Sequence, residues 1–252
     1  MSPQDATADL SFLEWFRDQV QQRGFVSAVA ESAKLIWQFL RESMPDRRRQ
    51  RYGDADYDWD YRVDTTSATV SARNRFLGLL HSPYQPTDPS LFHEMMTKLD
   101  IDFSQFVFLD VGSGKGRVLL MAADYPFRKI VGIELLAELH RIAQENVRNY
   151  VSDSQRCFVI ETVCGDACNF VFPSEPLVLY LFNPLPGPEL ATLVANLERS
   201  LNEEPRPVVV HYQNPLLEQT LSGQKWLLRV AGTHQYSIYV NRQFAETKEL
   251  VG

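Results

Sequence analysis

The chemistry-bearing stretch of this sequence is Leu109-Asp110-Val111-Gly112-Ser113-Gly114-Lys115-Gly116-Arg117. Glycines let a backbone approach a ligand closely and take positive φ, and the acid ahead of them adds a negative charge. Spacing separates the ligands such a loop can serve. A phosphate-cradling loop needs G-x-x-x-x-G-K-[ST]. Here Leu109 stands where the first glycine belongs, and Gly116 replaces the hydroxyl that would hold magnesium. A dinucleotide fingerprint needs G-x-G-x-x-G, and counting from Gly112 puts Arg117 at its third glycine. What remains is an acid, Asp110, followed by G-x-G-x-G at Gly112, Gly114 and Gly116. Two further acids follow apolar runs. Glu134 closes Val131-Gly132-Ile133-Glu134, about twenty residues past the loop, where nucleoside-binding folds hold ribose hydroxyls. Hydrogen bonds to an ionised carboxylate contribute about 1.5–3 kcal/mol each, enough to matter for affinity. Asp166 lies in Gly165-Asp166-Ala167, after a third such run.

An acid and then G-x-G-x-G resembles the first motif of the class I S-adenosylmethionine-dependent methyltransferases, and the resemblance extends over about 106–240. It implies an α/β fold: a Rossmann-like, doubly wound seven-stranded sheet, mostly parallel, with an antiparallel C-terminal hairpin strand. It implies S-adenosyl-L-methionine as cofactor, S-adenosyl-L-homocysteine as its product, and no metal. By the same resemblance Asp110 pairs with the cofactor's ammonium, directly or through water. Gly112, Ser113 and Gly114 make room for the methionine moiety. Glu134 takes both ribose hydroxyls with Leu135 beside it, and Gly165, Asp166 and Ala167 lie near the adenine amino group. The chemistry suits the loop, because this cofactor has a positive sulfonium and a zwitterionic tail but no phosphate to anchor.

The acceptor is written less clearly. Ser82-Pro83-Tyr84-Gln85-Pro86-Thr87 precedes a helix with Asp88 at its N-cap and Pro89 at N1. Pro-Tyr-x-Pro-Thr before a pre-sheet helix resembles a segment of the seven-strand protein-lysine methyltransferases. Gly114-Lys115-Gly116-Arg117 is similar to their Gly-Asp-Gly-Arg, with Lys115 placing a cation where they carry an acid. This implies that Tyr84, Pro86 and Thr87 line the cofactor pocket and that Asn183 touches both cofactor and acceptor. Leu181-Phe182-Asn183-Pro184-Leu185-Pro186 half-matches the Asn-Pro-Pro-aromatic motif of nucleobase amino-methyltransferases. Leu185 replaces the second proline and Pro186 the aromatic that would stack on a flipped base. An Asn side-chain carbonyl can accept from an amine N–H and aim the nitrogen lone pair, so Asn183 and Pro184 are candidate catalytic residues. Methyl transfer is an in-line displacement, and positioning can supply as much as about 7–11 kcal/mol of its barrier. A general base adds about 10²–10⁴-fold where the acceptor must lose a proton, and His211 and Tyr212 are the candidates for it. The favoured acceptor is an amine, a protein lysine among them. A metabolite oxygen or nitrogen, and a non-catalytic binding module, stay open.

Elements must carry these groups to one edge. Apolar runs at 106–109, 129–133, 158–163, 177–182 and 208–212 read as strands. Helices fill 115–124, the stripe of Leu136, Leu139, Ile142, Ala143, Val147 and Tyr150, and that of Leu190, Leu193, Val194, Leu197 and Leu201. Such alternation predicts a parallel sheet covered on both faces. Runs at 226–230 and 236–240 flank Gly232-Thr233 with no room for a helix, which predicts a hairpin and an antiparallel edge. Ahead of the sheet, residues 1–80 read as a helical extension and 81–252 as the methyltransferase domain. Ser11 and Glu14 form a capping box before the first helical stripe, and Val26, Val29, Ala33, Ile36, Trp37 and Leu40 mark a second helix. Arg47-Arg48-Arg49-Gln50-Arg51 is answered by the acidic Asp54 to Asp60 block. Tyr57, Trp59 and Tyr61 within that block gain by burial, so the stretch is expected to fold over a site.

Composition bounds the classes. The 252 residues suit one large domain or a domain with an extension, and 44% hydrophobic residues supply a core. A net charge of −7 disfavours a general nucleic-acid binder. Cys157, Cys164 and Cys168 form no C-x-x-C pair and suit a reducing compartment, and the five histidines show no metal-ligand spacing. The N-terminus shows no signal-peptide pattern, and no apolar run approaches the ~18 residues of a membrane span. A cytoplasmic protein is expected.

Overall fold

A strand covered on both faces must be apolar nearly throughout. That describes β1 (Val107–Val111), β4 (Leu177–Phe182) and β5 (Val208–Gln213), in which nearly every residue is buried. In the computed structural model, which describes residues 55–65, 86–183 and 185–249, these are the central strands of a seven-stranded sheet. β2 (Lys129–Glu134) and β3 (Ile160–Cys164) extend it on one side, β6 (Leu227–Gly232) and β7 (Tyr236–Asn241) on the other. The order is β3-β2-β1-β4-β5-β7-β6. β1 to β5 pair in parallel, while β7 runs antiparallel to both β5 and β6, with a register shift between Arg229 and Ala231. The expected doubly wound sheet and terminal hairpin are both present.

Alternation along the strands divides the core in two. Phe108, Val178, Tyr180, Val209 and Ile238 face one side with helices α2 (Pro89–Thr97) and α3 (Arg117–Ala122). Leu109, Leu179, Val210 and Tyr212 face the other with α5 (Gly187–Glu203). Each such side chain fully buried contributes about 1.5–3 kcal/mol. α2 starts as its sequence dictates: the Asp88 carboxylate caps the Leu91 N–H at 3.0 Å and Pro89 occupies the first turn. Its Phe92 packs edge-on against Phe108 and Tyr180, with ring centroids 6.0 and 5.8 Å apart. α4 (Ala137–Asn149) buries Leu139, Ile142 and Ala143 on its inner stripe, together with the polar Asn146.

The chain divides into two units, Met1–Gly53 with Ser71–Pro83 and Asp54–Val70 with Tyr84–Gly252. The two expected N-terminal helices and the arginine run lie outside the described residues. Of the acidic aromatic stretch, α1 (Ala55–Tyr61) is described, and its tyrosines do pack inward. The Tyr57 ring lies 4.3 Å beneath the Arg117 guanidinium and 4.6 Å from the Tyr61 ring, which in turn meets Tyr150 at 5.4 Å. Two expectations shift. β3 begins at Ile160, and Phe158 and Val159 ahead of it are exposed, because pairing with β2 starts only at Ile130. Short α6 (Glu218–Ser222) and polar α7 (Arg242–Glu249) were not expected. Among the described residues no helix is long and apolar enough to cross a membrane.

Candidate functional site

The glycine loop joins β1 to α3 through three left-handed residues, Gly112 (φ 75°), Gly114 (φ 55°) and Gly116 (φ 84°). The alternating spacing exists because each turn needs a residue without Cβ. The Gly112 and Ser113 N–H groups both donate to the Ile133 carbonyl at 2.9 Å, which seats the loop on the end of β2. The Ser113 side chain points down into this seat. A Cβ placed on Gly132 would lie 2.8 Å from Ser113 Oγ and 2.6 Å from Leu119 Cδ1. Among the described residues Ser113 Oγ is buried without a hydrogen-bond partner.

Asp110 and Glu134 share one face of the sheet. Asp110 is 3% exposed and lies between Gly132 of β2 and Tyr180 of β4. Among the described residues no group donates a hydrogen bond to it. Burial, reinforced by the Glu134 charge, holds its carboxyl well above the usual range. A buried carboxylate with no cation beside it among the described residues fits a ligand that brings its own positive charge. Glu134 is pinned by the N–H groups of Gly114 and Leu136, both at 2.8 Å. Burial raises its carboxyl, and those backbone bonds oppose the rise. Leu135, half-exposed, stands immediately beyond. Gly165 is tied to the Glu134 carbonyl at 3.0 Å and has open space where a side chain would be. Exposed Asp166 caps the short helix Ala167–Asn169, accepting from Cys168 N–H and Asn169 Nδ2 at 2.9 Å each. Of three neighbouring strands, Asp110 is thus the penultimate residue of β1, Glu134 the last of β2, and Asp166 follows β3 by two positions, with buried Ala167 behind it.

On the other side of β1, Thr87 is buried and its hydroxyl meets Tyr180 Oη at 3.1 Å. Tyr180 donates onward to Gln213 Oε1 at the end of β5. Half-buried Pro86 precedes Thr87, while Tyr84 and Pro184 lie outside the described residues. Asn183 leaves β4 in a left-handed conformation (φ 45°) that asparagine tolerates. Leu181 is paired with Val111 on one side and Tyr212 on the other, so Asn183 emerges level with the glycine loop. Tyr212 Oη donates to Asn183 Oδ1 at 3.2 Å and accepts from the Leu217 N–H at 3.3 Å. Burial raises the Tyr212 phenol. The expectation of His211 as a base at the rim is corrected: it sits within β5, fully buried, paired with Tyr180 and Ile238. Among the described residues neither ring nitrogen has a partner, and burial lowers its pKa to about 3. Tyr180 and Gln213 were not singled out in the sequence. Inside an apolar strand only the register reveals that they share a face with Asp110.

Strand order and the glycine loop together define a Rossmann-like, seven-stranded α/β fold of the methyltransferase type. The family model described as "Histone methylation protein DOT1" matches residues 76–162, about a third of the chain. No curated protein matches the sequence. Among solved structures, an RNA methyltransferase from Salinibacter ruber, in complex with S-adenosyl-L-homocysteine, is 23% identical with a TM-score of 0.42. That match covers 62% of this chain and 92% of that one. The glycopeptide N-methyltransferase MtfA is 11% identical over 62% and 90% of the two chains, with a TM-score of 0.46. A predicted N6-adenine-specific DNA methylase from Listeria monocytogenes is 14% identical over 62% and 51%, with a TM-score of 0.47.

Proposed function

We propose that the protein transfers a methyl group from S-adenosylmethionine to an amine, with a protein lysine side chain as the acceptor class. The observation that carries this reading is the pairing of Asn183 with Tyr212 at the level of the glycine loop. Tyr212 occupies one lone pair of Asn183 Oδ1 and fixes the amide's orientation. The second lone pair is left to receive an amine N–H, which aims the nitrogen lone pair. The match to the histone-methylation family model supports a protein amine over other acceptors.

When bound, the cofactor supplies an electrophilic methyl on positive sulfur. In this reading Asp110 holds its ammonium, and Glu134, itself oriented by the Gly114 and Leu136 N–H groups, receives the ribose hydroxyls. Leu135 and Asp166 flank the base, and Thr87, fixed by Tyr180, closes the methionine end. With His211 sealed in the sheet and the Tyr212 phenol raised by burial, catalysis is by position, and the acceptor enters as the neutral amine.

Incubation with methyl-labelled S-adenosylmethionine and fractionated lysate tests the reading. Label is expected in protein, released on hydrolysis as methylated lysine. Asn183→Ala is expected to keep cofactor affinity and lose turnover at least about tenfold, in line with loss of an oriented hydrogen bond to an amine. Label confined to nucleic acid or small molecules, or wild-type turnover in Asn183→Ala, overturns it.

A further inference from the structure

Lys115 stands between two left-handed glycines, Gly114 and Gly116, yet its side chain is wholly buried. An ammonium is costly to bury unless opposite charge and hydrogen bonds compensate. Its Nζ lies 2.7 Å from Oδ1 of Asp64, a residue far upstream of the loop and itself half-exposed. The Asn146 amide on α4 closes this contact into a ring. Its Nδ2 donates to the carbonyls of Lys115 and Asp64, both at 2.8 Å, and its Oδ1 accepts the Asp64 N–H at 2.8 Å. One amide thus fastens Asp64 and the loop main chain to each other. The preceding loop residue, Gly114, is the one whose N–H holds Glu134. Consecutive residues of the loop are therefore held by different partners, Gly114 by Glu134 and Lys115 by the Asp64–Asn146 pair. Asp64 is anchored in turn: its neighbours Val63 and Thr65 donate through their N–H groups to the Asp58 carbonyl and Asp58 Oδ2, at 2.9 Å each.

We propose that Asp64 is a positioning residue for the cofactor, acting through Lys115 to hold the glycine loop in its receiving conformation. The inference rests on the methyltransferase reading and extends its machinery beyond the sheet. Glycines have the most backbone freedom to lose, so a loop already held binds without that ordering cost. Asp64 then sets cofactor affinity without contacting the cofactor.

The full-length protein is compared with Asp64→Asn, Asp64→Glu and Lys115→Met by calorimetric titration with S-adenosylmethionine and by steady-state kinetics. Asp64→Asn keeps the main-chain bonds to Asn146 and is expected to fold. Its Kd and KM for S-adenosylmethionine should rise about tenfold, equivalent to about 1.4 kcal/mol, with turnover at saturation held within about twofold. Asp64→Glu should recover most of the affinity, and Lys115→Met should reproduce the rise. A purely structural role would lower the unfolding temperature and leave Kd unmoved, and that result overturns the inference. If wild type itself fails to bind S-adenosylmethionine, the methyltransferase reading falls. If wild type binds and folded Asp64→Asn binds equally well, only the positioning role falls.

Discussion

Replacing His211 with leucine separates a structural role for this residue from a catalytic one. The ring is fully buried, neither nitrogen is bonded among the described residues, and burial pulls the pKa from 6.5 to about 3. The fold accepts the neutral ring and resists the charged one. An unfolded chain takes up this proton below pH 6.5, whereas the folded chain does so only near 3. The stability His211 contributes is thus complete above pH 6.5 and is lost as pH falls toward 3. At about 1.36 kcal/mol per pH unit, about 2.5 units down to pH 4 amount to about 3.4 kcal/mol. Asp110 and Glu134 have the opposite sign. Their folded pKa values are raised, so they favour the fold at low pH and weaken it as pH rises through those values. Comparing wild type with His211→Leu cancels both. The stability difference in favour of the leucine variant should therefore grow by about 3 kcal/mol between pH 7 and pH 4. At pH 7 the variant also sheds buried unbonded nitrogens, each worth about 1–3 kcal/mol of desolvation, and should be at least as stable as wild type. Urea unfolding followed by tryptophan fluorescence at four pH values measures the curves, and a methyl-transfer assay accompanies them. Parallel pH curves would refute the burial argument. Lost turnover in a folded variant would restore His211 as a base.

Two further outcomes follow from the site. Because Asp110 must be ionised to hold a cation while burial holds its carboxyl high, S-adenosylmethionine affinity should fall as pH drops through that raised value. Asp110→Asn should flatten the dependence and weaken binding about tenfold or more, as expected for a charge-assisted bond; calorimetric titration across pH reads both, and an unchanged slope refutes the role. Gly132→Ala would push a methyl to 2.6 Å from Leu119 Cδ1 and 2.8 Å from Ser113 Oγ, an overpacking worth about 1–3 kcal/mol. Its unfolding midpoint should drop accordingly, and a wild-type melt would show that the loop does not sit on this glycine.

Local chemistry made much of this legible. The Asp110 loop, the Asp88-Pro89 helix start and the hairpin around Gly232 each have short-range causes, and each stands close to where its residues place it. What escaped depends on distance or on burial. Asp64 meets Lys115 across 51 positions and Asn146 across 82, and no periodicity carries such a pairing. In Val208-Val209-Val210-His211-Tyr212 both faces are buried, so alternation cannot say whether His211 looks at solvent, ligand or core. The Tyr180–Gln213 contact likewise waits on knowing that β4 lies beside β5. Short α6 offers too few turns for a helical stripe to register.

The antiparallel strand has a consequence for the order in which the molecule can be assembled. β7 is the last of the described strands in sequence, yet it lies inside the sheet, between β5 and β6. As the chain leaves the ribosome, β1 to β3 have all their neighbours once β4 has emerged, and β4 gains its second when β5 follows. β5, which carries Tyr212 and Gln213, keeps one edge unpaired until residues 236–241 emerge, and β6 has no partner before then. The half that carries the glycine loop is free to form early in synthesis, whereas the half that carries Tyr212 closes only once β7 has emerged. An unpaired strand held open for that interval is a template for wrong pairing, so synthesis slowed or stopped between β5 and β7 leaves this chain most prone to aggregate.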